Sequence, residues 1–395
     1  MVCLAKSNAD TVLIPICSLG LKKRMCDLLI KNGHVVDPAR ETNEIEDVAI
    51  SNGRIFKTGR GLDVSASEII DANGCIVSPG LIDLHTHVYW GGTSIGVDAD
   101  MVAQRSGCTT MVDAGTAGAG NMLGMKHHIV DRSNTRVLAF INISFPGIFA
   151  FSNEVMVGEC SDLRLLNSRE CVRAAKQHSE LVVGVKVRTG LIAGGSNGIM
   201  PLDIAMEVAE ELELPLMAHL DFPPPGRRDV LSRLRRGDIL THCFRPFPNA
   251  PVHGSGQIFD EIVEAREKGI IFDIGHGMGS FGFDTAEAML ANGFFPDVIS
   301  SDVHALCVDG PAFDLLETMS KLLSLGMPVE EIIRSVTVAP AKAIGRDDLG
   351  TLREGSAADV TILRIEEGEY RYEDVLGKTM TGKKRFALER MISTN

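Results

Sequence analysis

The chain of 395 residues is 45% hydrophobic and 23% charged, an ordinary globular balance that excludes a disordered chain and a membrane bundle. Its formal charge of -13 leaves no basic stripe to displace counterions from a polyanion, so nucleic acid is excluded as a partner. Nine cysteines, an odd number without a C-x-x-C pair, exclude a disulfide framework and read as small buried hydrophobes in a reducing, cytoplasmic compartment.

Residues 1–24 are an extension with no assigned role. The apolar run at 11–21 contains Pro15 and is followed by Lys22, Lys23 and Arg24 rather than a small-residue cleavage site, so it is not read as a secretion signal. No stretch reaches the length of a membrane span. From Cys26 to Val77 short apolar runs suited to β-structure alternate with turns. Asn32-Gly33 and Asn52-Gly53 each sit between two such runs, and each predicts a hairpin.

At Gly80 the rhythm changes. Strands are predicted at 81–87, 109–114, 137–143, 181–187, 215–220, 238–244, 270–274 and 298–302. Segments of helical period lie between them, at 100–106, 122–132, 168–179, 202–212, 256–268 and 283–292. Eight strands, each followed by a helix, predict an α/β fold, a (β/α)8 TIM-type barrel spanning residues 80–354. A doubly wound open sheet is the alternative. After helices at 312–325 and 330–343, a strand at 359–363 is expected to rejoin the N-terminal strands. Residues 25–79 and 355–395 would then form one small β-sandwich domain.

In such a barrel the chemistry sits at the C-terminal ends of the strands. His85 and His87, spaced i, i+2, point to one side of the first strand, and Asp83 shares their parity. Lys186 ends the fourth strand, His219 the fifth, His242 the sixth and Asp302 the eighth. Singly, His219 and His242 read equally well as hydrogen-bonded core histidines, and Asp302 as a helix N-cap. Lys186 lies in the apolar run Val182-Val183-Gly184-Val185-Lys186-Val187, where an unpaired ammonium is costly and its pKa falls. A neutral amine there can add carbon dioxide to give a carbamate, N6-carboxylysine, able to bridge two divalent metals. Together the six residues form a coherent bimetallic set.

The run PGLIDLHTH, the isolated strand lysine, the two later strand-end histidines and the final aspartate resemble the amidohydrolase superfamily. The resemblance runs from Met25 nearly to the chain end. HTHVYWGGTSIGVDAD, VDAGTAGAGN, VVGVKVR and GHGMGSF are similar to its dihydroorotase-like or deacetylase branch, which includes acetyl-mandelate ester hydrolases. The resemblance implies that His85 and His87 bind a buried metal, that carboxylated Lys186 bridges the pair, and that His219 and His242 bind the exposed metal. Asp302 would ligate the first metal and act as general base. The cofactors implied are two divalent ions, zinc first among them, with carbon dioxide for the lysine. The reaction implied is cleavage of an acyl ester or amide of a small carboxylate-bearing substrate by a metal-bridging hydroxide.

Dihydroorotases carry an arginine two positions after the second histidine, where this chain has Tyr89. That departure favours a deacetylase-like reaction over a cyclic amidohydrolase of the dihydroorotase or hydantoinase kind. Arg188 is the expected replacement for carboxylate recognition, with His276, Tyr89 and His304 as further substrate contacts; a structural salt bridge for Arg188 and a tight turn around His276 are the plainer readings. A non-catalytic assembly protein on the same fold should have lost ligands, and this chain keeps them all. The expected partner is a small-molecule substrate, with no nucleic acid and no membrane; assembly into a homo-oligomer is compatible with the sequence.

Overall fold

The computed structural model describes residues 25–394, so the expectation for residues 1–24 lies outside the described residues. Five strands open the chain: β1 (Met25–Asp37), β2 (Thr42–Ser51), β3 (Arg54–Gly59), β4 (Ser65–Asp71) and β5 (Ile76–Pro79). Asn52-Gly53 makes the predicted hairpin between β2 and β3, with φ of 52° and 67° as a tight two-residue turn requires. Asn32-Gly33 does not turn the chain. β1 runs through it as one bulged strand, pairing with β4 through Lys31 and with β5 at His34 and Val35. Asp47 and Asp71 each accept a bond from Asn32 at 3.0 Å, and Gly33 is pressed against the Val77 side chain, where a Cβ would collide. Tertiary partners thus turn a hairpin signal into a bulge that bends one strand.

The barrel follows: β6 (Leu81–Thr86), β7 (Cys108–Gly118) and β8 (Arg136–Asn142). A small antiparallel pair, β9 (Ala150–Phe151) and β10 (Met156–Val157), is inserted before β11 (Val182–Thr189), β12 (Leu216–Leu220), β13 (Ile239–Leu240) and β14 (Ile271–Phe272). The seven long-sheet strands are parallel and lie in chain order. Helices α1 (Ala99–Ser106), α2 (Met122–His128), α3 (Ser168–Gln177), α4 (Leu191–Gly194), α5 (Met200–Leu212), α6 (Arg227–Arg233), α7 (Asp260–Lys268) and α8 (Phe283–Ala291) fall between or after them. Their ends follow local chemistry. Asp98 caps α1 by accepting from the Met101 amide at 2.9 Å, and Gly107 ends it at φ 72°. α5 carries Pro201 in its first turn and buries Leu202, Ala205, Val208 and Ala209 on one stripe. Each fully buried Leu or Val contributes about 1.5–3 kcal/mol by leaving water.

The eighth strand takes a different form from the one predicted. Residues 298–303 form no regular ladder: Val298 bridges to Asp273 on one side and Val303 to Thr86 on the other, and Asp302 between them takes a left-handed φ of 48°. These bridges close the sheet onto β6. Side chains replace the missing ladder: Ser300 donates to Asp273 at 2.6 Å, and the Ser301 hydroxyl and amide donate to Asp83 at 2.5 and 3.0 Å. The helix predicted at 330–343 is two helices. After α9 (Leu315–Ser324) come α10 (Val329–Ser335) and α11 (Val338–Ala343), because the Ser335 and Val336 carbonyls leave the helical ladder to accept from Ile299 and Ile82.

The chain ends meet as expected. β15 (Val360–Glu373) runs antiparallel to β5, pairing Ile362 with Val77, and forms a long hairpin with β16 (Thr379–Ile392). All seven end strands belong to one hydrogen-bonded sheet. The seven cysteines among the described residues are free and buried. No helix among these residues is long and apolar enough to cross a membrane.

Candidate active site

One cavity of about 260 Å³ opens at the C-terminal ends of the barrel strands, and His85, His87, Lys186, His219, His242 and Asp302 all line it. Asp302 Oδ1 lies 3.2 Å from His85 Nε2 and 3.1 Å from His87 Nε2. Lys186 Nζ is 3.2 Å from the same His85 nitrogen. The His219 and His242 rings are 4.6 Å apart, and His242 is 5.2 Å from His85. All six side chains are buried or nearly so. Strand register explains part of the gathering: Arg188 on β11 pairs with His219 on β12. His242 and Asp302 hold left-handed φ values of 65° and 48°, costly for such residues and found where a fold aims a functional group. Asp302 is kept there by its amide bond to the His85 carbonyl at 2.7 Å. Gly115 is required beneath the lysine, because a Cβ at that position would come within 2.6 Å of the Lys186 stem.

Hydrogen bonds behind the rings set which nitrogen faces the cavity. The Gly275 carbonyl, 2.7 Å from His242 Nδ1, can only accept, so Nδ1 carries the proton and Nε2 presents a lone pair. Thr241 donates its hydroxyl hydrogen to Asp273 at 2.6 Å and therefore accepts from His85 Nδ1 at 2.8 Å. His87 Nδ1 rests 2.8 Å from the Thr116 hydroxyl. Burial pushes His87 down to about 3 and holds His85, His219 and His242 well below the usual histidine value, so the rings are neutral. His219 Nε2 is buried with no hydrogen-bond partner. Lone pairs of His85 and a carboxylate oxygen converging without a proton between them is the arrangement a divalent cation resolves. His85, His87 and Asp302 can each offer one ligand atom, all within 4.8 Å of one another. The donor set fits a metal. Burial also lowers Lys186 to about 8, which raises the fraction of reactive neutral amine.

The other predicted residues divide. Arg188 and His304 line the cavity. Arg188 faces Glu159 at 3.3 Å and lies over the Phe151 ring, and burial holds His304 down at about 4. Tyr89 and His276 are not in the lining. The Tyr89 hydroxyl donates to the Asn121 carbonyl at 3.2 Å. His276 stacks on Phe281 and accepts from Lys321 Nζ at 3.0 Å. Asp83, which shares the parity of His85 and His87, accepts from Ser301 and is pushed up to about 7 by burial.

Residues the sequence reading passed over complete the site. Asp273, an acid inside the apolar run Ile270-Ile271-Phe272-Asp273-Ile274, carried the same signal as Lys186 and orients His85 through Thr241. Glu159, Asp221 and Arg245 carried none of comparable strength: each lies in a loop without periodicity. Ile95, Ile148, Phe151, Met156, Phe222 and Met278 make the walls largely apolar.

The comparisons with known proteins agree with this geometry. A protein named deacetylase from Agrobacterium fabrum is 35% identical over 336 residues, covering 85% of this chain and 82% of that one. Two crystal structures superpose closely: an adenine deaminase with TM-score 0.86 and 34% identity, covering 93% of this chain and 98% of that one, and a dihydroorotase with TM-score 0.85 and 32% identity, covering 93% and 96%. The sequence profile of the amidohydrolase family matches residues 76–384. A closed α/β barrel with histidine, lysine and aspartate gathered at its strand ends and this extent of likeness lead to one conclusion: the chain belongs to the amidohydrolase family and is a hydrolase of amide or ester type.

Proposed function

We propose that the protein is a binuclear metal-dependent deacylase that removes an acyl group, such as acetyl, from a small carboxylate-bearing ester or amide. The observation that carries this reading is the convergence of six candidate ligands on one largely apolar cavity beside a buried arginine. His85, His87 and Asp302 would hold one divalent ion, His219 and His242 a second, and carboxylated Lys186 both. Zinc suits this nitrogen and oxygen donor set. Bound there, such ions supply Lewis acidity and bring the pKa of water toward about 7.

The chain's own groups do the rest. The neutral Lys186 amine attacks carbon dioxide; the N–C bond forms, a C=O electron pair moves to oxygen and the amine proton leaves, giving the carbamate. Asp302, facing the two histidines, accepts the proton of the attacking water and returns it to the departing alkoxide or amine. Arg188 puts positive charge on the wall for a substrate carboxylate. The apolar walls exclude bulk water, which strengthens each of these interactions.

Ring opening of a cyclic amide is the second reading, favoured by the dihydroorotase likeness. Against it, position 89 is a tyrosine whose side chain is engaged with Asn121 rather than the cavity. The test is a substrate panel on zinc-loaded protein supplied with bicarbonate: acetylated hydroxy and amino acids beside hydantoins, dihydroorotate and adenine. Turnover of the acetylated set supports the proposal, and turnover of only the cyclic compounds overturns it.

A further inference from the structure

Arg245 follows His242 by three residues and lines the same cavity. It is only 9% exposed, and its Nε and Nη1 are buried with no hydrogen-bond acceptor among the described residues. A guanidinium cannot relieve this by giving up its proton, so the unmet need is for an acceptor, and an anion meets it best. The other charges on the wall are already engaged. Arg188 has Glu159 at 3.3 Å, and Glu159 still has an unpartnered oxygen, so that pair is balanced from within the protein. The oxygens of Asp221 accept from the amides of Ile192, Ala193 and Phe222 at 3.0, 3.0 and 2.6 Å, and Asp221 makes no ion pair with Arg245 among the described residues.

We propose that Arg245 is the principal anion-binding residue of the cavity, so that the substrate presents a carboxylate to the loop after β13, with Arg188 in a supporting position. Naming the substrate as an acylated carboxylate rests on the deacylase reading; the anion site itself does not.

The test measures binding, not turnover. Zinc- and bicarbonate-loaded full-length protein is titrated calorimetrically with phenylacetate and with phenylacetamide, probes of one shape that differ in charge and suit walls built from Ile148, Phe151 and Phe222. Wild type is expected to bind phenylacetate at least about tenfold more tightly. Arg245→Met should abolish that preference at unchanged metal content, Arg245→Lys should keep part of it, and Arg188→Met should keep most of it. A preference that survives Arg245→Met, including one arising from carboxylate bound at the metals, overturns the proposal; so does loss of the preference in Arg188→Met alone. Equal binding of both probes by wild type overturns it whether or not the variants fold. Arg245-dependent binding of phenylacetate without turnover of any acyl substrate would defeat the deacylase reading and leave the anion site standing.

Discussion

Thr241 fixes the tautomer of His85: its hydroxyl, 2.8 Å from Nδ1, has given its own hydrogen to Asp273 at 2.6 Å and can only accept from the ring. His85 Nε2 is thereby left as a lone pair toward Asp302 and Lys186. Thr241→Val keeps the shape and removes the acceptor. Zinc affinity is expected to fall by about 10–100-fold, measured by competition with a chromophoric chelator. Unchanged affinity would mean that the ring is oriented by packing alone.

Asp302 faces both histidines through one oxygen. Asp302→Asn keeps the size but removes the negative charge and the proton acceptor. The expected result is a kcat lower by on the order of 10²–10⁴-fold, the range general-base catalysis supplies, with KM changed far less. A loss confined to KM would assign Asp302 to substrate binding instead.

Much of the site was legible because strand parity and strand ends are strong constraints. PGLIDLHTH, Lys186, His219, His242 and Asp302 could be placed on one rim from apolar runs alone. Strand parity carries no information where the strand stops. Tyr89 lies past the end of β6, so i, i+2 reasoning no longer tells its direction. His276 sits between Gly275 and Gly277 at φ 46° and 53°, a left-handed path with no strand parity at all. Asn32-Gly33 became a bulge because Val77, Asp47 and Asp71, remote in sequence, hold it within one strand. Arg245 follows a strand only two residues long, and its lack of partners is a property of the packed structure that no local pattern encodes.

Lys321, on α9, is fully buried, and its ammonium is bonded to the Pro311 and Glu373 carbonyls at 2.6 and 2.8 Å and to His276 Nε2 at 3.0 Å. Lys321→Met leaves the buried His276 nitrogen and the Pro311 and Glu373 carbonyls without this donor. A loss of about 1–3 kcal/mol in unfolding free energy is expected from urea titration. A variant as stable as wild type would show that the neighbours find other donors.

Burial is the largest influence on Glu317, raising its carboxyl from 4.5 to about 7 despite Lys321 nearby. Between these values the folded state keeps a proton that the unfolded state has lost, so this group makes stability fall as pH rises from about 4.5 to about 7, with no further change above. Glu317→Gln removes the titration. Its urea midpoint, compared with wild type, should gain steadily across that window. A difference that stays constant between pH 4.5 and 8 would contradict the assignment.

The most direct measurement is elemental analysis of protein prepared with zinc and bicarbonate, wild type beside Lys186→Ala. Two divalent ions per wild-type chain, with loss of the tightly bound pair and of activity in Lys186→Ala, is the result expected of a carbamate-bridged centre. A wild type without bound divalent ions, or a Lys186→Ala variant with full metal content and full rate, would contradict it.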